Sequence, residues 1–357
     1  MSRLIINTVP PNNINRCFAL LLSCCLLAGC ESLSFYGQAI TGQLSILTKR
    51  TPIKKLLAEG QLTEAEAQRF ALIEDILRFA AEEMKLPVKK TFSSYVNLQR
   101  DYVVWNVFAA PTYSVEPHEW CYPIAGCASY RGYFSEHKAR AYASKLAARG
   151  FDTYIAGVKA YSTLGWFNDP ILNTFMSYSD ARLAGLIFHE LAHKVVYIPG
   201  DTDFNESFAR TVEIEGVKRW LEVRDSRQLF AAFQQRQQVH ELFVNLVHAL
   251  REKLQSAYHA APNDAHRQGA KARLFAEFEL EFAAFVQQYP AAKRYRFWVE
   301  QTANNAKLVP INSYNRWVPA FDALLQSDLE TFFDLCRDLA EQKQEKRDSF
   351  LSARIPP

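Results

Sequence analysis

Two histidines and a glutamate stand close together in the segment HELAH, residues 189–193. Residues four apart lie one turn above each other on the same face of an α-helix, so His189 and His193 can direct ring nitrogens at one metal ion. Glu190 lies about 100° further round the helix, where it can take a proton from water without binding the ion. The alternative is a core helix whose histidines only make hydrogen bonds. The spacing favours a zinc site.

A third ligand is expected on the next helix, because catalytic zinc sites use three protein ligands and leave the fourth position to water. The segment NESFA, residues 205–209, begins another predicted helix. Pro199 and Gly200 lie in the loop between the two helices and allow the chain to reverse. Glu206 then reaches the same ion from an antiparallel neighbour.

The elements around these helices indicate an α+β fold. Apolar periodicity, strand-forming residues and capping signals change in character near residue 179. We predict a mixed α/β part with a small sheet at residues 30–178 and a mainly helical part, which carries the metal site, at residues 179–357. The predicted strands are 95–98, 102–108 and 151–158. The predicted helices are 38–57, 63–84, 135–149, 180–197, 205–223, 226–256, 268–288 and 318–343.

The composition is that of a globular protein. The chain has 357 residues, of which 49% are hydrophobic and 22% charged, and its net charge is +3. Disordered and collagen-like classes are therefore excluded. The charge is too balanced for a protein that must neutralise many phosphates, so no nucleic-acid partner is expected. No run of about 18 apolar residues predicts an ordinary transmembrane helix.

The N-terminal segment resembles the signal peptide of a bacterial lipoprotein. An apolar run at residues 17–28 leads into LAGC at residues 27–30. The resemblance implies removal of residues 1–29 and lipidation of the Cys30 thiol. Because Glu31 follows rather than Asp, it also implies an outer-membrane anchor facing the periplasm. The alternative is a buried helix rich in cysteine and leucine.

The oxidising compartment that the lipoprotein resemblance implies permits disulfides. Cys121 and Cys127 enclose a short segment that contains Pro123 and Gly126, so a small disulfide loop is predicted. Two free thiols are the alternative. A cysteine-based zinc site is not expected, since no second cysteine pair could complete it. Cys336 lies in an apolar helical stretch and is predicted to be buried.

HELAH followed by NESFA resembles the gluzincin metallopeptidases. A longer part of the chain, roughly residues 90–330, resembles the predicted-aminopeptidase family of bacterial lipoproteins. The segments that carry this resemblance are GCASYRGYF (126–134), AYSTLGWFNDP (160–170), HELAHK (189–194), NESFA (205–209) and NNAKL (304–308). The resemblance implies a zincin-like fold with His189, His193 and Glu206 as zinc ligands and Glu190 as the general base.

Two departures from the gluzincin pattern affect these expectations. Only twelve residues separate His193 from Glu206, fewer than is usual in that group. Glu213 stands at the more usual distance and is the alternative ligand, two turns further along, so both carboxylates cannot bind one ion. The GxMEN-type segment that anchors a substrate's free amino group in better-known aminopeptidases is also missing from the sequence.

The resemblance also implies a tyrosine or histidine that stabilises the oxyanion of the reaction. Tyr314, which follows NNAKL, is the candidate. Tyr161, Tyr178 and Tyr197 are alternatives. The extended stretch 161–167 directly precedes the site helix, and a substrate peptide could add to it as an extra strand. Its alternative is a plain edge strand of the sheet.

Three charged residues near the two helices each have two alternative roles. Asp180 or Asp203 could hold a ligand histidine by its second ring nitrogen, as metal-bound histidines require. Each is more often a helix cap or turn residue. Arg210 lies one turn beyond Glu206 and could orient that carboxylate or the substrate, or be a surface charge.

The predicted function is hydrolysis of peptide bonds through a zinc-activated water, with Glu190 as general base. One alternative is a non-catalytic envelope protein that uses a zincin fold to bind a partner. Another is a hydrolase of non-peptide amides. Glu190 favours an enzyme over a binding protein, because binding alone has no need of a base between the two ligands. The predicted partners are a peptide substrate and a membrane reached through the lipid on Cys30.

Overall fold

The computed structural model describes most of the chain outside the N-terminal segment. The described residues are 35–60, 62–122, 126–160, 168–301, 303–313, 316–325 and 328–355. Contacts divide the chain into two units, Met1–Thr48 and Lys49–Pro357. The first unit contributes one described helix, α1, at residues 35–48. The predicted helix 38–57 therefore ends earlier than expected. No helix in these ranges is long and apolar enough to cross a membrane.

The strands of the second unit form small sheets in the described part of the chain. Their bounds are β1 Thr51–Pro52, β2 Ser94–Val96, β3 Val104–Pro111, β4 Trp120–Tyr122, β5 Gly126–Ala128, β6 Arg131–Tyr133, β7 Phe151–Val158 and β8 Ile171–Leu172. The strand orders are β1-β2-β8, β6-β3-β7 and β4-β5. β2 and β8 are parallel, and the other pairs are antiparallel.

Four helices accompany these strands, and capping residues explain where the two longer ones begin. They are α2 Ile53–Ala58, α3 Glu64–Glu82, α4 Glu136–Ala147 and α5 Asn173–Met176. Thr63 and Glu66 form the predicted capping box before α3, in which each side chain accepts a hydrogen bond from the other's backbone N–H. Ser135 accepts a hydrogen bond from the Lys138 backbone before α4.

The second half of the chain is almost entirely helical. Its helices are α6 Asp180–Ala192, α7 Thr202–Val223, α8 Arg227–Ala260, α9 Asp264–Gln288, α10 Arg296–Val299, α11 Val309–Ser313, α12 Val318–Leu324, α13 Leu329–Ala340 and α14 Gln344–Ser352. Short 3-10 helices at Pro290–Tyr295 and Asn305–Leu308 join them. The predicted helix 318–343 is two helices, because Asp328 caps a new start.

The segment NNAKL ties the helical half to the sheet. The backbone N–H of Asn305 donates to the Asp152 carboxylate, which also accepts from the Lys271 ammonium at 2.6 Å. The Asn305 amide donates to the Thr112 carbonyl at 2.9 Å and accepts from the Tyr258 hydroxyl at 3.0 Å. Because Lys271 and Asp152 are both largely buried, removing either one would leave an uncompensated charge.

The α+β prediction is confirmed: small sheets precede the site helices and a mainly helical half follows them. Residues 49–178 of the predicted mixed part and the predicted helical part belong to the same unit, Lys49–Pro357. The boundary between residues 178 and 179 stays a prediction.

Candidate metal centre

Helix α6 holds the HELAH segment inside the protein. Leu183, Ile187, Phe188 and Leu191 are each no more than 1% exposed. The helix ends at Ala192, earlier than predicted, because the next N–H groups bond three residues back and tighten the turn. His193 caps this end but keeps helical dihedrals, with φ at −59° and ψ at −17°. It therefore stays on the same face as His189.

Two glycines let helix α7 pack closely against α6. A Cβ atom on Gly216 would come within 2.5 Å of the Phe188 ring, and one on Gly185 would lie 3.2 Å from the Glu213 side chain. Small residues at a helix contact allow the two backbones to approach. The side chains that α6 and α7 direct at each other can then meet within ligand distances.

The loop between α6 and α7 is closed by the asparagine of NESFA. The Asn205 side chain accepts from the Ile198 backbone N–H and donates to the Ile198 carbonyl, both at 2.8 Å. Asp201 caps α7 by accepting from the Phe204 N–H at 3.0 Å. Helix α7 therefore starts at Thr202, ahead of the predicted position, and the short spacing between the histidines and Glu206 is accommodated.

The remaining residues of NESFA dock the far side of α7 onto the C-terminal helices. The Ser207 hydroxyl accepts from the Trp317 backbone N–H at 3.1 Å. Phe208 packs against the rings of Phe204, Phe321 and Phe332. Asn205, Ser207 and Phe208 thus hold the loop and the C-terminal helices. Glu206 is the residue of this segment that faces α6.

Three side chains converge between the two helices. The Nε2 atoms of His189 and His193 lie 3.3 and 3.9 Å from the same Glu206 oxygen, Oε2. One ligand atom from each of the three residues lies within 4.8 Å of the others. Ligands at zinc-binding distances of about 2.1 Å in a tetrahedron are about 3.4 Å apart. The two imidazoles and the carboxylate are therefore a donor set that can hold a metal ion once their ligand atoms move somewhat closer together.

Glu213 lies on the opposite side of the His189 ring. Its Oε2 is 3.4 Å from His189 Nδ1, and its other oxygen accepts a hydrogen bond from Arg210. Arg210 also donates to Gln237 of α8 at 2.7 Å. Glu213 is thus placed to fix the ring of His189 rather than to bind an ion beside Glu206. The only sequence signal for this arrangement is the seven-residue spacing, which puts both glutamates on one helix face.

The two aspartates that were predicted as possible histidine partners pair with arginines instead. Asp180 accepts from Arg69 at 2.6 Å, and Asp203 accepts from Arg316 at 2.9 Å. The Nδ1 atom of His193 is buried and has no hydrogen-bond partner among the residues that the structure describes. Among these residues, only His189 of the two histidines thus has a carboxylate at its second nitrogen.

Electrostatics at the centre favour a cation. Burial alone would lower the pKa of His189, but hydrogen bonds to Glu206 and Glu213 and their charges raise it to about 10. Burial lowers the pKa of His193 to about 4, so its ring is neutral and can act as a ligand. The pKa of Glu213 falls to about 2, because Arg210 and His189 outweigh its burial. The negative charge that holds a proton on His189 would also stabilise a divalent ion.

Glu190 lies beside this group, on the face of α6 toward β8. It is partly exposed and lines a small cavity with Asp169, Lys194 and Phe92. Burial lowers the pKa of Lys194, and the charges of Asp169 and Glu190 partly oppose this lowering. His189, His193 and Glu206 are not among the residues that line this cavity, so the general-base role of Glu190 stays a prediction from its place next to His189 in the helix.

Tyr197 is the tyrosine that the described structure places next to the histidines. Its ring lies 6.4 Å from that of His193, nearly perpendicular, and burial together with the Glu206 charge raises its pKa. Tyr178 instead stacks under the guanidinium of Arg182. Tyr314, Tyr161 and the stretch 161–167 lie outside the described residues, as does Cys30.

A disulfide hairpin packs against the loop of the metal centre. Cys121 and Cys127 face each other across β4 and β5 and form a disulfide, and Cys336 is a buried free thiol. Gly126 and Gly200 have φ values of +75° and +83°, and a Cβ on Gly126 would lie 2.7 Å from the Gly200 nitrogen. Glycine is required at both positions, because the backbones touch.

Two adjacent helices, α6 and α7, direct two imidazoles and a carboxylate at one point and so form a group that can hold a metal ion. The model of the family described as "putative aminopeptidase" matches residues 34–351, which include all of these side chains. The chain therefore belongs to this family, whose description indicates peptidase activity. No curated protein and no solved structure matches the chain. Its grouping with the gluzincins stays a prediction.

Proposed function

We propose that the protein is a zinc-dependent peptidase that acts on the N-terminal end of peptides. The observation that carries this proposal is the convergence of His189, His193 and Glu206, with ligand atoms within 4.8 Å of one another. This donor set is the one that catalytic zinc sites use, with a fourth position left to water. The family description supports an aminopeptidase.

A zinc ion held by these residues would act as a Lewis acid. It would polarise the substrate carbonyl and lower the pKa of a bound water, so that this water can act as a nucleophile at neutral pH. Glu190 would accept a proton from the attacking water and pass it to the leaving nitrogen, a role supported by its position directly after the ligand His189 in α6. Glu213 contacts Nδ1 of His189 and thereby orients the ring so that its Nε2 atom faces Glu206. Arg210 in turn holds Glu213.

Tyr197 is our candidate for stabilising the developing oxyanion, because its ring lies beside His193 and its hydroxyl can donate. Tyr314 stays a sequence-based candidate for the same role. Tyr197→Phe and Tyr314→Phe separate the two, because the variant that loses the catalytic donor lowers kcat and keeps zinc. If Tyr197→Phe keeps the parental kcat, the assignment to Tyr197 is wrong.

The proposed function is tested with matched substrates. Aminoacyl and dipeptidyl anilides with a free N-terminus are compared with the same compounds acetylated at that nitrogen. We expect hydrolysis of the free forms alone, and we expect Glu190→Gln to abolish hydrolysis while zinc content stays at the parental level. Cleavage of acetylated peptides would make the protein an endopeptidase. Hydrolysis undiminished in Glu190→Gln would remove the general-base role.

We also propose that the mature chain is anchored to the bacterial outer membrane by lipid on Cys30 and faces the periplasm. The support is the LAGC segment at residues 27–30 and the apolar run before it. Cys30→Ser should abolish the mass increase that lipidation gives and should prevent membrane fractionation of a processed chain. An unchanged mass and fractionation pattern would contradict the anchor.

A further inference from the structure

The C-terminal helix α14 reaches the loop that precedes Glu206. Its Arg347 is 3% exposed and Asp201 is 6% exposed, so the pair is removed from water. The Arg347 guanidinium donates to Asp201 Oδ2 through Nε at 3.1 Å and through a second nitrogen, and to the Gln342 carbonyl at 2.8 Å. It also lies over the ring of Phe204 at 5.5 Å.

Asp201 connects this arginine to the start of α7. Its Oδ1 accepts from the Phe204 N–H and caps the helix, while its Oδ2 accepts from Arg347. Both carboxylate oxygens are thus fixed, and with them the residue at which α7 begins. Glu206 lies in the second turn from that cap, so a change in the start of α7 moves its carboxylate relative to His189 and His193.

The contribution of this buried ion pair to the free energy of unfolding does not by itself explain why the protein contains it. A buried ion pair is often no more stabilising than apolar residues of the same volume, because the desolvation of both charges offsets their attraction. Its distinctive contribution is a fixed geometry. Metal centres need that, since ligand atoms must lie within about 0.2 Å of bonding distances. Arg347 supplies it from 146 residues further along the chain than Asp201.

We propose that Arg347 is a positioning residue for the metal ligand Glu206, acting through Asp201 and the first turn of α7. This proposal rests on the proposed zinc site. It assigns to the C-terminal helix a part in metal affinity, although that helix contributes no ligand. Arg347 holds its carboxylate partner by two nitrogens, and a lysine there would keep the charge but lose this paired geometry.

The test compares Arg347→Lys with Arg316→Gln in the purified full chain. Arg316 pairs with Asp203 at 2.9 Å near the same helix start, but its side chain is 45% exposed, so it is a matched control. Zinc affinity is measured by competition with a chelator. We expect a loss of about 10- to 100-fold for Arg347→Lys, the range seen for residues that orient metal ligands. The control should change affinity less than about twofold.

A second readout separates positioning from a merely structural role. The midpoint of thermal unfolding is measured with chelator and with saturating zinc. A merely structural arginine would lower both midpoints equally, whereas a positioning residue lowers the gain that zinc provides. Asp201→Asn, which keeps the cap acceptor and loses the charge, serves as the second variant if Arg347→Lys does not fold.

The outcomes are distinct. A parent chain that binds zinc, together with an Arg347→Lys or Asp201→Asn variant that binds it equally well, would overturn this proposal and leave the proposed function intact. Equal losses of zinc affinity in Arg347→Lys and Arg316→Gln would likewise overturn this proposal and leave the proposed function intact. A parent chain that binds no zinc would overturn both.

Discussion

Replacing Glu213 tests whether a carboxylate at the second ring nitrogen of His189 contributes to metal binding. This glutamate accepts at His189 Nδ1, with 3.4 Å between the atoms, and the two side chains are only 23% and 14% exposed, so water replaces this contact poorly. Glu213→Gln keeps an acceptor oxygen but loses the charge, whereas Glu213→Ala loses both. Outer-sphere partners of metal-bound histidines change metal affinity by about 10- to 100-fold. We expect about tenfold for Gln and about 100-fold for Ala, or about 1.4 and 2.8 kcal/mol.

The assay is chelator competition for zinc, followed by hydrolysis at saturating zinc. Glu215→Gln is the matched control, because Glu215 lies on the same helix and pairs with Arg219 at 2.6 Å rather than with a histidine. Its zinc affinity should stay at the parental value. Parental affinity in both Glu213 variants, or an equal loss in Glu215→Gln, would refute the assignment of Glu213 as the partner of His189.

Three further predictions follow from contacts around the same helices. Gly216→Ala should lower the free energy of unfolding by about 1–3 kcal/mol, because its Cβ would lie 2.5 Å from the Phe188 ring; an unchanged melting curve would contradict this close approach. Asn205→Ala should weaken zinc binding and lower the unfolding midpoint, since both of its bonds to Ile198 are lost; parental zinc affinity would show that the loop closes without it. Cys121→Ser should lower the unfolding midpoint, because the cross-strand bond to Cys127 is lost; a midpoint that does not respond to reductant in the parent would contradict a stabilising disulfide.

Local patterns were enough to predict the two helices that face each other. The i, i+4 spacing predicts that His189 and His193 lie on one helix face. They do so in the structure although α6 ends at Ala192, because His193 keeps helical dihedrals. The Thr63 cap and the strand Phe151–Val158 were likewise predictable, because each depends on neighbouring residues. Features of this kind are set within a few residues.

Long-range contacts account for what the sequence could not show. Helical spacing gives Glu206 and Glu213 the same face of α7, but only the packing of α6 decides which oxygen meets which nitrogen of His189. The bond from Arg347 to Asp201 joins residues 146 positions apart and leaves no local signature. The contact of Gly126 with Gly200 is of the same kind.

The central claim is that His189, His193 and Glu206 hold one zinc ion. The direct measurement is the metal content of the purified full chain by mass spectrometry, beside His189→Ala and Glu206→Ala. We predict about one zinc per chain in the parent, the number that a single three-ligand site holds, and its loss in both variants. A parent chain without metal after zinc has been supplied, or variants that keep the parental zinc content, would contradict the account.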